Sequence, residues 1–146
     1  MKRYPIHALF LAFMLATFAD LAFPQNLGKT IFPSAARTST AYPLVSADQV
    51  NNSGNGVHCV LDTTAYTSGT LTLTLQGKDP ASLKYYTLLS GAAVVSISTN
   101  VYKVFPGATV TANVSANDKL PTIWRVSIAG GSTPVSTNSV GCLVME

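Results

Sequence analysis

The residues able to do chemistry are few, and their spacing is unhelpful. Cys59 and Cys142 lie far apart in the sequence. In an oxidising compartment such a pair would form an inter-sheet disulfide. Otherwise both act as small, buried apolar side chains. One pair with no known compartment is weak ground for a bridge, so two reduced, buried thiols are expected. The histidines, His7 and His58, make no His-x-His pattern, and no Cys-x-x-Cys occurs, so no metal is expected. The acids are isolated, which leaves no carboxylate pair for acid–base work. No serine lies in Gly-x-Ser-x-Gly, and His58 has no identifiable partner for a hydrolase triad. No phosphate loop is present. The expectation is a chain with no catalytic residue, no cofactor and no small-molecule substrate.

Weaker signals remain. Asn51-Asn52-Ser53 and Asn113-Val114-Ser115 match a glycosylation sequon. Tyr85, Tyr86 and Trp124 are aromatic groups that could stack on a sugar. Filling or flanking the core is the simpler role for them.

The elements that must position these groups are strands. Leu71, Leu73 and Leu75 alternate with Thr70, Thr72, Thr74 and Gln76, the period-two pattern of a half-buried strand. Gly77-Lys78-Asp79-Pro80 breaks the pattern with turn residues. Tyr85 to Leu89 reads as the return strand of a hairpin. Such a hairpin is marginal alone and needs further strands. Val57, Cys59 and Leu61 mark one face of an earlier strand. Trp124, Val126 and Ile128 mark another, and Val140, Cys142 and Val144 the last. Ala92–Ile97 and Val101–Phe105 read as strands, and 109–114 as strand or connection. Tyr66–Gly69 and Gly130–Ser132 read as turns. Residues 29–43 read as extended, with at most one short edge strand suited to Pro33 and Pro43. The sum is seven or eight strands with frequent turn signals. We expect an all-β, antiparallel β-sandwich, Ig-like or jelly-roll-like, over residues 27–146.

Composition agrees with one domain. The chain has 146 residues, 10% of them charged, and a formal charge of +3. From Leu27 onward, seven basic residues face five acidic ones, spread along the chain. A nucleic-acid binder would cluster its basic residues, so no nucleic-acid partner is expected.

Residues 1–26 differ from the rest. Met1-Lys2-Arg3 precedes an apolar run from Ala8 to Phe23, broken only by Thr17 and Asp20. A basic start and an apolar stretch shorter than a membrane span make a secretory signal. The cleavage site is poor, however, because no clean Ala-x-Ala precedes Pro24. The other reading is an apolar arm, or an over-called start with Met14 as initiator. Both readings stay open.

The body resembles a family of small tailed-bacteriophage virion proteins encoded among head and tail genes. The resemblance rests on Thr38-Ser39-Thr40, Ser46-Ala47-Asp48-Gln49, the run from Gly56 to Asp62, and the run from Leu73 to Pro80. It continues through Lys84-Tyr85-Tyr86-Thr87-Leu88-Leu89, Val104-Phe105-Pro106-Gly107 and the run from Leu120 to Val126. It spans roughly residues 30–146, and the leader departs from it. It brings no catalytic residues. It implies a non-enzymatic structural protein of the phage particle, assembled in the host cytoplasm, above all a capsid decoration or cement protein. Its expected partners are the major capsid protein or another virion protein, and further copies of itself. A tail or head–tail joining component is the alternative within that class. A secreted or periplasmic β-sandwich that binds a surface ligand is the alternative outside it.

Overall fold

The computed structural model describes residues 28–146. The leader and its boundary at residue 26 lie outside them. The described chain is all-β. Its strands are β1 Lys29–Arg37, β2 Leu44–Val45, β3 Gln49–Val50, β4 Gly56–Lys78, β5 Tyr85–Ser90, β6 Ser98–Val104, β7 Ser115–Ala116 and β8 Ile123–Met145. One short 3-10 turn, Ser39–Ala41, follows β1.

Two 23-residue strands, β4 and β8, form the spine. They pair antiparallel from Gly56↔Met145 to Gly77↔Trp124. β1, β2 and β3 add to β8, while β5 and β6 add to β4. β7 joins β6 in parallel, so the sheet is mixed, not wholly antiparallel as expected.

The segments read as turns at Tyr66–Gly69 and Gly130–Ser132 are not reversals. They are bulges inside the continuous strands, with register shifts between Thr63 and Thr70. The reason is their placement. The two breakers face each other across the ladder, with Thr70 opposite Gly131 and Leu71 opposite Gly130. Both strands therefore bend at one point and keep pairing on either side, as bulges allow. Gly69 sits at φ +87, and an added Cβ would lie 2.8 Å from the Gly131 carbonyl oxygen. Ser132 and Thr133 take up the opposing bend at φ 54 and 53. The Tyr66 hydroxyl donates to the Gly69 carbonyl at 2.6 Å, and the Ser68 hydroxyl to that of Thr133 at 2.9 Å.

The bend lets both halves of the spine feed one core. Val57, Cys59 and Leu61 from the first half of β4 are fully buried, as are Leu71, Leu73 and Leu75 from the second. Val126, Ile128 and Val140 from β8 join them in one cluster. Gly91, after β5, lies so close to β6 that a Cβ there would clash with the Tyr102 ring. A buried polar knot secures the bend. The fully buried Asn138 donates to Tyr42 Oη at 2.8 Å and to Ser136 Oγ at 2.9 Å. It accepts from the Arg37 guanidinium at 2.7 Å.

Other expectations change. Residues 29–37 make a nine-residue edge strand, longer than the short one expected. Ala92–Ile97 is not a strand. Only Val94 bridges, to Leu71, because the segment crosses from β5 to β6 and cannot follow either ladder. Val95 and Ile97 are exposed. Of the two readings of 109–114, the connection holds: it closes in a turn at residues 112–114, with Asn113 at φ 63.

The cysteines need the clearest correction. Cys59 and Cys142 are joined by a disulfide, with S–S 2.03 Å, instead of standing as free thiols. Nor does the bridge link separate sheets. The residues are direct partners on adjacent strands, with Cα atoms 4.1 Å apart. Antiparallel partners come that close in non-hydrogen-bonded pairs, which sets the sulfurs side by side.

Candidate functional site

Four separate stretches meet at the end of the spine away from the disulfide. β4 contributes Gln76 and Lys78, whose side chains share the face opposite Leu75. β8 sets Arg125 opposite Gln76, and β5 sets Tyr85 opposite Lys78. Asp48, just before β3, reaches in from the side. Lys78 Nζ pairs with Asp48 Oδ2 at 2.8 Å, and the Tyr85 hydroxyl donates to the other carboxylate oxygen. The Arg125 guanidinium sits over the Tyr85 ring, with Cζ 3.2 Å from the ring centroid. Its Nε donates to Gln76 Oε1 at 2.8 Å. Among the described residues the two terminal guanidinium nitrogens of Arg125 have no hydrogen-bond partner.

The charges are fixed. The Lys78 and Tyr85 hydrogen bonds hold the Asp48 carboxyl below its ordinary pKa, and Asp48 in turn raises that of Lys78. Both groups stay ionised at neutral pH. With Arg125 the cluster carries one net positive charge.

Beside it lies a groove of about 370 Å³. Pro80, Leu83, Tyr86, Pro121 and Ile123 supply apolar walls, and Asp48, Lys78 and Thr122 complete the lining. The loop after β4 builds one wall. The Asp79 carboxylate accepts from the Ala81 and Ser82 amides at 3.1 and 3.2 Å. The Leu83 amide donates to the Asp79 carbonyl at 2.9 Å. That ties Leu83 at φ 60, with 63% of its surface exposed. Tyr86 lies across Gly77, where an added Cβ would meet the ring at 2.6 Å. Val50, also exposed, extends the apolar surface as the cross-strand partner of Ile123.

The residues singled out from sequence divide. Tyr85 and Tyr86 belong to this site, but Trp124 is buried in the core and cannot stack on a ligand. Cys142 and His58 line a different cavity, of about 290 Å³, with Lys29, Val60 and Leu143. Burial, then nearby Lys103, lowers the His58 pKa, and its Nε2 has no partner among the described residues. Among the described residues no three His, Cys, Asp or Glu side chains gather as metal ligands would. The sequon at Asn51 is occupied structurally. The buried amide donates to the carbonyls of Gly54 and Leu120 at 2.8 and 3.0 Å, which leaves no nitrogen for a glycan.

Asp48, Gln76 and Arg125 carry no local signal of a site. Each looks like an ordinary loop or strand residue, and only the long-range register joins them. The arrangement suits binding. It offers a rigid guanidinium beside an apolar groove and no nucleophile with a base.

Compared with known family models, curated proteins and solved structures, the chain matches none of them.

Proposed function

We propose that this chain is a non-enzymatic structural protein of a tailed-bacteriophage particle, and that it decorates the capsid. One observation carries the proposal. Four of the stretches behind the family resemblance, drawn from three separate parts of the chain, contribute to a single groove with apolar walls and an ion pair in its lining. Such a surface docks a partner and performs no reaction. On this reading the bent sheet serves as a β-sandwich whose ends face the lattice. The protein stabilises the shell by mass action, binding assembled capsid more tightly than free subunits. It assembles in the host cytoplasm, in several copies per particle.

The test is co-sedimentation of purified protein with capsids that lack it. Binding to capsids supports the decoration reading. Binding to tails alone selects the tail or head–tail joining role, and binding to neither overturns the virion proposal.

One observation favours a second reading. The Cys59–Cys142 bridge suits a secreted or periplasmic ligand-binding protein, since disulfides persist in oxidising compartments. Virion surfaces are such an environment too. Intact mass separates the two. A mature chain lacking about its first 23–26 residues, as signal cleavage would leave it, supports secretion.

A further inference from the structure

We propose that Arg125 receives a carboxylate, from an Asp or Glu side chain of a partner protein, while an adjacent apolar side chain of the partner fills the neighbouring groove. The inference rests on the docking role proposed above and names the chemistry of the partner.

Three features carry it. First, the guanidinium is held in place before any partner arrives. Tyr85 supports one face of its plane and Gln76 holds Nε, so its orientation is set. The two terminal nitrogens keep their donors free of partners among the described residues. A planar fork with two free donors matches a carboxylate in bidentate geometry. Second, the charge balance calls for one negative charge. Lys78 is neutralised by Asp48, which leaves Arg125 as the uncompensated cation of the cluster. A monoanion fits. A phosphate dianion would face the fixed Asp48 carboxylate nearby, whose low pKa keeps it charged. Third, the groove beside the cluster is walled by proline, leucine, isoleucine and tyrosine side chains. These walls suit an aliphatic or aromatic anchor, the kind of buried contact that dominates protein interfaces. They offer few donors for a sugar–phosphate backbone.

The test has two arms. In the first, capsids lacking the protein are titrated with wild type, Arg125→Lys, Arg125→Gln and a distant charge control, Lys103→Gln. Loss of a charge-assisted bidentate pair should weaken binding about 10- to 100-fold in both Arg125 variants. The control should bind like wild type. Arg125→Lys keeps the charge, so undiminished binding by that variant would show that the fork is not used. In the second arm, labelled wild-type protein is titrated with acetyl-Leu-Glu-Leu-amide, its Gln analogue and inorganic phosphate. Shifts at Arg125 Nε–H and at the Tyr85 and Tyr86 amides are expected with the Glu peptide and not with the Gln analogue. A stronger response to phosphate, or none to the Glu peptide, overturns the inference. The arms fail separately. Full capsid binding by both Arg125 variants sinks this inference and leaves the virion role standing. No capsid binding by wild type, with peptide shifts intact, does the reverse. If Arg125→Gln does not fold, Arg125→Lys and the peptide arm still decide.

Discussion

Gly69 and Gly107 make a paired test of the bent spine. Both have positive φ, +87 and +82, so an alanine at either carries the same backbone penalty. That penalty is about 1–2 kcal/mol for an L-residue in the left-handed region. Their surroundings differ. An added Cβ at Gly107 meets nothing within 4 Å. At Gly69 it would lie 2.6 Å from the Pro134 nitrogen and 2.8 Å from the Gly131 carbonyl oxygen. These are backbone atoms of the opposing strand and cannot rotate away. Relief requires the two bulges to separate, which strains the Ser68–Thr133 hydrogen bond between them. Overpacking of this kind costs about a further 1–3 kcal/mol. Gly69→Ala should therefore destabilise by about 2–5 kcal/mol, and Gly107→Ala by no more than the backbone penalty. Urea unfolding followed by circular dichroism and tryptophan fluorescence measures both. Equal losses at the two sites would refute the account of the bend as a close crossing of β4 and β8.

Other expected outcomes test separate parts of the structure. Leu73→Ala should cost about 2–5 kcal/mol, while Thr72→Ser and Thr74→Ser cost far less; equal effects would reverse the assigned faces. A thiol count after unfolding without reductant should find none, because Cys59 and Cys142 are bridged; two free thiols would contradict this. Asn138→Ala should cost about 1–3 kcal/mol by removing the buried amide that joins Tyr42, Ser136 and Arg37, and a neutral effect would make the knot dispensable. Asp48 has a lowered folded pKa, so its contribution is present above the ordinary carboxylate range and lost as pH falls through the folded value. Acidification below about pH 4 should lower the urea midpoint of wild type more than that of Asp48→Asn, and parallel curves would count against the Lys78–Asp48–Tyr85 cluster.

The parts legible in sequence were those governed by neighbours along the chain. Leu71, Leu73 and Leu75 alternate with threonines, and alternation is a local property that the pleat enforces. Trp124, Val126 and Ile128 follow the same rule and are buried or shielded as expected. Misreadings arose where a distant strand decides the outcome. Gly69 and Gly130 carry the chemistry of a turn, but each lies within the span of a partner strand, so the chain bends without reversing. Cys59 and Cys142 showed their inward faces by parity, but not that they are register partners. Parity fixes a face; only the pairing of β4 with β8 fixes which residues touch. The groove was hidden for the same reason. Lys78 reads as a turn residue and Arg125 as an outward strand residue, and Asp48 sits in a loop. Their meeting depends on Gln76 standing opposite Arg125.

We propose that the groove bounded by Lys78, Tyr86 and Ile123 is where this protein meets the particle. The decisive measurement is hydrogen exchange on the protein, free and bound to capsids that lack it. We predict slower exchange on binding at residues 78–86 and 121–125, and little change at the amides around His58 and Cys142. Protection confined to the His58 side, or absent from both while the protein remains bound, would contradict the account.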